Sequence, residues 1–132
     1  MATIAAISTP NAVGGIAVIR ISGDNAVAVA QRIFTPFGEK KVEDMAGYTC
    51  AYGIAHDGSE RIDDCILTIF RAPHSFTGED TAEISCHGGL FVSRKILRAA
   101  LKNGAVTAEA GEFTKSIHAN NQPFQCFFHQ EF

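Results

Sequence analysis

The 132-residue sequence has no long apolar run and little net charge, and it contains only four cysteines. No segment approaches the roughly 20 apolar residues that a membrane-spanning helix needs. Residues 1–7 also lack the basic start and long apolar segment of a signal peptide. These absences predict a cytoplasmic protein that does not contact a membrane.

Basic residues are also few. Eleven Lys and Arg against fourteen Asp and Glu give a net charge of −3. Composition therefore predicts no broad cationic face of the kind that supplies non-specific affinity for nucleic acids. The cysteines, Cys50, Cys65, Cys86 and Cys126, form no CxxC pair or other metal-ligand spacing. We expect thiols, three of them packed as small apolar side chains.

Hydrophobic residues make up 46% of the chain, which is enough for one core in one domain. The spacing of the apolar residues alternates along the chain between a period of 2 residues, typical of a strand, and one of 3.6 residues, typical of a helix. It predicts strands at residues 3–8, 16–22, 48–55, 61–70, 81–87 and 105–108, and helices at 25–34 and 90–104. Residues 35–47 are polar and irregular. The order β-β-α-β-β-β-α-β predicts an α+β fold, a small mixed or antiparallel sheet with two helices.

Two turn signals support this order. Asp57-Gly58 is a hairpin signal between two of the strands, and Asn103-Gly104 predicts the end of the second helix. Within that helix, the spacing predicts a buried apolar stripe. Its members are Leu90, Leu97 and Leu101, with Val92, Ile96 and Ala100 beside them.

Residues 77–89, TGEDTAEISCHGG, hold three carboxylates, a cysteine and a histidine before a glycine pair. Side chains alternate along a strand. One face should therefore carry Ala82, Ile84 and Cys86, and the other Glu83, Ser85 and His87. Because Cys86 and His87 point apart, a Cys-His hydrolase dyad or a metal held by both is disfavoured.

The glycine pair Gly88-Gly89 lies between this strand and the second helix. It has two interpretations: exposed N–H groups at the helix start favour an anion, and glycine also suits any tight strand-to-helix turn. Glu79 and Asp80 are interpreted as loop or first-turn charges that face water.

Arg20 shares a face of residues 16–22 with Ile16, Val18 and Ser22, a run that we expect to be buried. Its guanidinium therefore needs a partner. Glu83 is central in its own predicted strand. On neighbouring strands, Arg20 and Glu83 would form a structural ion pair or would jointly contact a bound polar molecule.

Five segments in this order, TIAAISTP, GGIAVIRISG, APHSFTGED, AEISCHGG and AGEFTK, resemble the N-terminal domain of the tRNA-modification GTPases of the TrmE/MnmE type. The resemblance covers about residues 2–115. It implies a fold related to the aminomethyltransferase folate domains, with residues 1–115 as a folate-binding and dimerisation domain. Residue by residue, the folate contacts of the family fall on Arg20 and Glu83.

The resemblance also implies a homodimer that holds a tetrahydrofolate derivative, such as 5-formyltetrahydrofolate, near its interface. In this family the folate supplies a one-carbon unit for modification of the wobble uridine of tRNA. The complete enzyme needs GTP and potassium and works with a FAD-dependent partner. These 132 residues contain no GxxxxGK[ST] phosphate loop. We therefore expect a binding module that does not perform the full reaction. The alternatives are a stand-alone folate-dependent one-carbon transferase and a dimerisation fragment with a non-functional pocket.

Three segments depart from the family pattern. PNAVGG keeps only Gly14-Gly15 of a proline- and glycine-rich connection, and Ala110 stands where proline is usual. After GEFTK the family continues with RAFLNGK, whereas residues 116–132 form an atypical tail, interpreted as frame-shifted or truncated. The folate-contacting lysine of the family falls at or near Gln122.

Overall fold

Seven strands form one sheet in the computed structural model, which describes residues 2–9 and 15–108. The strands are β1 (Ile4–Ile7), β2 (Ile16–Ser22), β3 (Phe34–Pro36), β4 (Thr49–Asp57), β5 (Glu60–Phe70), β6 (Thr81–His87) and β7 (Val106–Thr107). Helices α1 (Ala26–Ile33) and α2 (Leu90–Lys102) complete the element list together with a 3₁₀ turn at Val42–Asp44. The prediction of an α+β fold with a small mixed sheet and two helices is confirmed.

The sheet has the order β3-β4-β5-β6-β2-β1-β7. The pair β1–β7 is parallel and the other neighbours are antiparallel. The longest pairing is the β4–β5 hairpin, which turns at Gly58 with a φ of 60° as its Asp-Gly signal predicts. This order puts β2 and β6 side by side in the interior of the sheet, although about 60 residues separate them in sequence.

The core lies between one face of the sheet and the two helices. On β2 and β6 the buried apolar residues alternate along each strand, and they are Ala17, Ile19, Ile21, Ala82, Ile84 and Cys86. The prediction that Ala82, Ile84 and Cys86 share the buried face of β6 is confirmed. Neither described helix is long and apolar enough to cross a bilayer.

Helix α2 buries the predicted Ile96 and Ala100, whereas the predicted leucines are partly buried or exposed. Its buried residues are Ser93, Ile96, Ala99 and Ala100. The leucines lie at the edge of the contact, and Leu90 is 40% exposed. Small residues allow the helix to approach the sheet closely. The buried face of α2 is therefore rotated away from the face that carries the leucines. The predicted helix end is confirmed by Gly104, which has a φ of 116°.

Strand β3 and the 3₁₀ turn lie where irregular structure was predicted. Phe34, predicted as the last residue of the first helix, instead begins β3 and pairs with Ala55. The pairing requires glycine at position 53, because a Cβ there would lie 2.3 Å from the carbonyl oxygen of Thr35. This requirement arises from a strand distant in sequence, so local periodicity does not reveal it.

Two ion pairs join the tip of the β4–β5 hairpin to α2. Lys102 Nζ lies 2.8 Å from an oxygen of Asp57, before the turn, and Lys95 Nζ lies 3.2 Å from an oxygen of Glu60, after it. The hairpin tip therefore lies alongside residues 95–102 of α2.

The departures from the family pattern lie outside the described residues, apart from Gly15. They include residues 10–14, Ala110, the tail at residues 116–132 and Gln122. The predictions made for them stay predictions.

Candidate functional site

Arg20 and Glu83 form an ion pair at the centre of the sheet. The antiparallel register of β2 and β6 places them directly opposite each other, so both side chains leave the same face. Nε of Arg20 donates to Oε2 of Glu83 at 2.8 Å. The side chains are only 14% and 22% exposed, respectively. The structure thus brings together the two residues that the sequence singled out.

The ion pair lies on the face of the sheet opposite to the helices. On β2 this face carries Ile16, which is 65% exposed, Val18, which is half-buried, and Ser22, which is buried. The expectation that the whole Arg20 face of β2 is buried is therefore wrong. The helices α1 and α2 cover the alternate residues instead, so neither described helix covers the face that carries the ion pair.

The two carboxylate oxygens of Glu83 differ in their contacts. Among the described residues no hydrogen-bond donor contacts Oε1, while Oε2 accepts from Arg20. Thr68 lies opposite Glu83 on β5, and its hydroxyl is 3.3 Å from Sγ of Cys50 on β4. Ala6 lies opposite Arg20 on β1. The charged pair is therefore flanked on the neighbouring strands by the small side chains of Thr68 and Ala6.

Phe76 adds an aromatic ring to this face. It belongs to the loop between β5 and β6, and its ring centroid lies 4.6 Å from Cζ of Arg20, which is within cation–π range. Nothing in the sequence predicts that Phe76 contacts this site. A lone phenylalanine in a loop gives no periodic signal, and its contact with Arg20 exists only in the folded chain.

A buried group of hydroxyls fixes this loop on the sheet. Oγ1 of Thr77 lies 2.6 Å from Oγ of Ser22 and 3.4 Å from Oγ1 of Thr81, and all three residues are buried. The same Thr77 oxygen accepts from the backbone N–H of Glu79 at 3.3 Å. The loop is thus joined to β2 two residues from Arg20.

Asp80 serves the same loop, contrary to the expectation that it faces water. Its Oδ1 accepts from the backbone N–H of Ala72 at 2.8 Å, and its Oδ2 lies 3.7 Å from Arg71. Arg71 in turn donates to the carbonyl oxygen of Met45. The carboxylate therefore closes the loop instead of standing free in water.

Cys86 and His87 do not act together. Cys86 is buried, and burial raises its pKa to about 11, so the thiol stays protonated near neutral pH. His87 is exposed, and its backbone N–H and Nδ1 both contact Asp63 at 2.9 Å. The prediction against a Cys-His dyad agrees with this geometry. The described part of the chain also contains no group of three or more His, Cys, Asp or Glu side chains suited to a metal.

The glycine pair forms a strand-to-helix turn, as one of its two interpretations requires. Gly89 has a φ of 126°, and Gly88 N–H donates to the carbonyl oxygen of Gly15 at 3.0 Å. A cleft of about 420 Å³ adjoins this turn, lined partly by Leu90, Arg94 and Leu97. Anion binding there stays a prediction.

The family model described as "GTP-binding protein TrmE N-terminus" matches residues 3–122. The chain belongs to this family.

Relatives of this TrmE N-terminal chain are close in sequence. A tRNA modification GTPase MnmE of Lachnoclostridium phytofermentans is 48% identical over 121 residues, which are 91% of this chain and 26% of that protein. The MnmE of Parabacteroides distasonis is 45% identical over 124 residues, 92% of this chain and 27% of that protein. The MnmE of Chlorobaculum tepidum is 45% identical over 120 residues, 90% and 25% respectively. The chain thus spans about a quarter of the length of the curated relatives it matches.

Proposed function

We propose that this TrmE N-terminal chain binds a tetrahydrofolate derivative, such as 5-formyltetrahydrofolate, through Arg20 and Glu83. The observation that carries the proposal is the ion pair on the helix-free face of the sheet, whose Glu83 Oε1 has no donor among the described residues. The pterin ring presents an N–H and an amino group side by side, and a carboxylate can accept from both. Arg20 supplies a cation for the pterin carbonyl or for a carboxylate of the glutamate tail.

We further propose that the chain forms a homodimer through the same face. Ile16, Tyr52 and Ile66 are 65%, 58% and 45% exposed, and the strand register puts Tyr52 opposite Ile66 beside the charged pair. Exposed apolar side chains grouped on one face favour burial against a partner. A second copy would cover this strip and enclose the folate between the protomers.

In the proposed larger protein this domain works in the cytoplasm as part of a tRNA-modifying GTPase. Other parts of that protein would bind GTP and potassium. Together with a FAD-dependent partner protein, the larger protein would transfer the one-carbon unit of the folate to the wobble uridine of tRNA. The domain boundary at residue 115 belongs to the same proposal. Isolated residues 1–132 are proposed to bind and dimerise without performing the reaction.

A different candidate is a purely structural role for the ion pair, in a dimerisation fragment whose pocket binds nothing. The low exposure of Arg20 and Glu83 favours it, because removal of one partner from a largely buried pair is destabilising in any protein. Ligand binding and stability must therefore be measured on the same variants.

Titration calorimetry with 5-formyltetrahydrofolate tests the proposal on the unsubstituted chain, on Glu83→Gln and on Glu60→Gln. Glu60 is a matched control because it is also a strand glutamate in an ion pair, but it lies at the hairpin tip and is 58% exposed. Loss of a buried polar partner costs about 1–3 kcal/mol, so Glu83→Gln should weaken binding roughly 5- to 150-fold. Glu60→Gln should bind as the unsubstituted chain does.

Two results would reject the folate assignment. One is the absence of binding heat from the unsubstituted chain, confirmed by equilibrium dialysis. The other is a Glu83→Gln variant with a sharply lower unfolding midpoint but unchanged affinity, which would establish the structural ion pair instead.

A further inference from the structure

We propose that Phe76 is a positioning residue of the folate site, which fixes the plane of the Arg20 guanidinium for the ligand. The inference rests on the proposed folate function and adds a residue to it. The ring lies over the guanidinium, 4.6 Å from Cζ to the centroid. It contacts the cation that the ligand would contact, from the loop that borders the site.

Two contacts with described residues bear on the orientation of Arg20. The bond from Nε to Glu83 Oε2 fixes one point in the plane of the guanidinium. The ring of Phe76 covers a face of the same plane and limits rotation about that bond. A planar cation held in both ways presents its N–H edge in one direction, which suits a flat acceptor edge such as that of a pterin.

The position of the ring is set by the fold. Thr77, the next residue, is buried, and its hydroxyl is joined to Ser22 at 2.6 Å. Ser22 and Arg20 leave the same face of β2. The loop is therefore anchored beside Arg20, so the ring is preorganised before any ligand arrives.

The attraction depends on the aromatic quadrupole, not on apolar volume alone. Phe76→Leu keeps most of the volume and removes the quadrupole, whereas Phe76→Tyr keeps the ring. We expect Phe76→Leu to raise the Kd for 5-formyltetrahydrofolate by about 2- to 30-fold. Phe76→Tyr should stay within about 2-fold of the unsubstituted chain, and unfolding midpoints should differ little between the two variants.

A spectroscopic readout reports on the same contact without ligand. The ¹⁵N–¹H signal of Arg20 Nε, assigned by its loss in Arg20→Lys, should lie upfield because of the ring current of Phe76. It should move downfield in Phe76→Leu and stay near its place in Phe76→Tyr. Phe76→Met replaces the leucine variant if that one does not fold.

The outcomes separate the two proposals. If the unsubstituted chain binds the folate and Glu83→Gln weakens it, but Phe76→Leu binds normally, the positioning role is wrong and the folate site stands. Equal weakening in the leucine and tyrosine variants, or an Arg20 signal that does not respond to Phe76→Leu, also overturns it. If the unsubstituted chain does not bind the folate, both proposals fall.

Discussion

The hydroxyls of Ser22 and Thr77 lie 2.6 Å apart in the interior of the domain, where they join β2 to the loop that carries Phe76. Thr77→Val keeps the shape of the side chain and removes its hydroxyl, which leaves Ser22 without this partner. A buried polar group that loses its hydrogen bond costs about 1–3 kcal/mol. We expect the free energy of unfolding, measured by urea denaturation, to fall by that amount.

The control for this variant is Thr107→Val. Thr107 is exposed in β7, so the same change should alter stability by less than about 0.5 kcal/mol. Equal effects at the two positions would mean that the Ser22–Thr77 contact contributes nothing particular.

Stability should fall at alkaline pH because of two buried thiols. Burial raises the pKa of Cys65 from 9.0 to about 12 and that of Cys86 to about 11. Above about pH 9 the unfolded chain therefore loses these protons before the folded chain does, which lowers the free energy of the unfolded state relative to that of the folded state. The contribution of the two buried thiols to stability is therefore complete below about pH 9 and is lost as the pH rises toward their folded-state pKa values of about 11 and 12.

The measurement is urea unfolding between pH 7 and pH 10.5, compared with the double variant Cys65→Ala/Cys86→Ala. The two proteins differ only at positions 65 and 86, so the difference between the curves isolates the two thiols. We expect the double variant to lose less stability over this range. Parallel curves would show that the two thiols titrate alike in the folded and unfolded states.

Self-association should depend on the helix-free face. Ile66→Glu places a charge in the proposed apolar strip, where burial of an unpaired carboxylate is costly, so we expect light scattering after size exclusion to give the mass of one chain at tens of micromolar. Phe91→Glu is the matched control, because Phe91 is 74% exposed but lies on α2. That variant should elute as a dimer. A monomeric unsubstituted chain would refute the dimer directly.

Replacement of residues 116–122, SIHANNQ, by RAFLNGK restores the family segment and puts lysine at position 122. A charge-assisted contact contributes roughly 1.5–3 kcal/mol. The replaced chain should therefore bind 5-formyltetrahydrofolate about one to two powers of ten more tightly in calorimetry. Identical affinities would show that this segment does not contribute to the site.

Sequence reasoning predicted the parts of the fold that depend on local patterns. The alternation in residues 81–87 correctly separated Cys86 from Glu83, and Asp57-Gly58 predicted the longest hairpin. What it missed depends on contacts between distant segments. Strand β3 exists because Phe34 pairs with Ala55, and no periodicity within residues 34–36 could show this.

The same limit applies to the candidate site. The central positions of Arg20 and Glu83 in their strands marked them as a possible pair, and resemblance gave them a shared role. Their register, however, depends on how β2 and β6 meet across the sheet. The contacts of Phe76 with Arg20 and of Thr77 with Ser22 join the loop between β5 and β6 to β2. They form between segments that are distant in sequence, so no local pattern predicts them.

The two lysine contacts at the hairpin tip imply that this corner of the molecule responds to ionic strength. One side chain of each pair is exposed, Lys102 at 57% and Glu60 at 58%, whereas their partners Asp57 and Lys95 are 25% and 33% exposed. Ion pairs at a protein surface contribute only about 0–1 kcal/mol and weaken with salt. Because one contact lies on each side of the turn, salt should release both arms of the hairpin from α2 together. At high salt the hairpin tip would then separate from α2, while the strands β4 and β5 keep their register with each other.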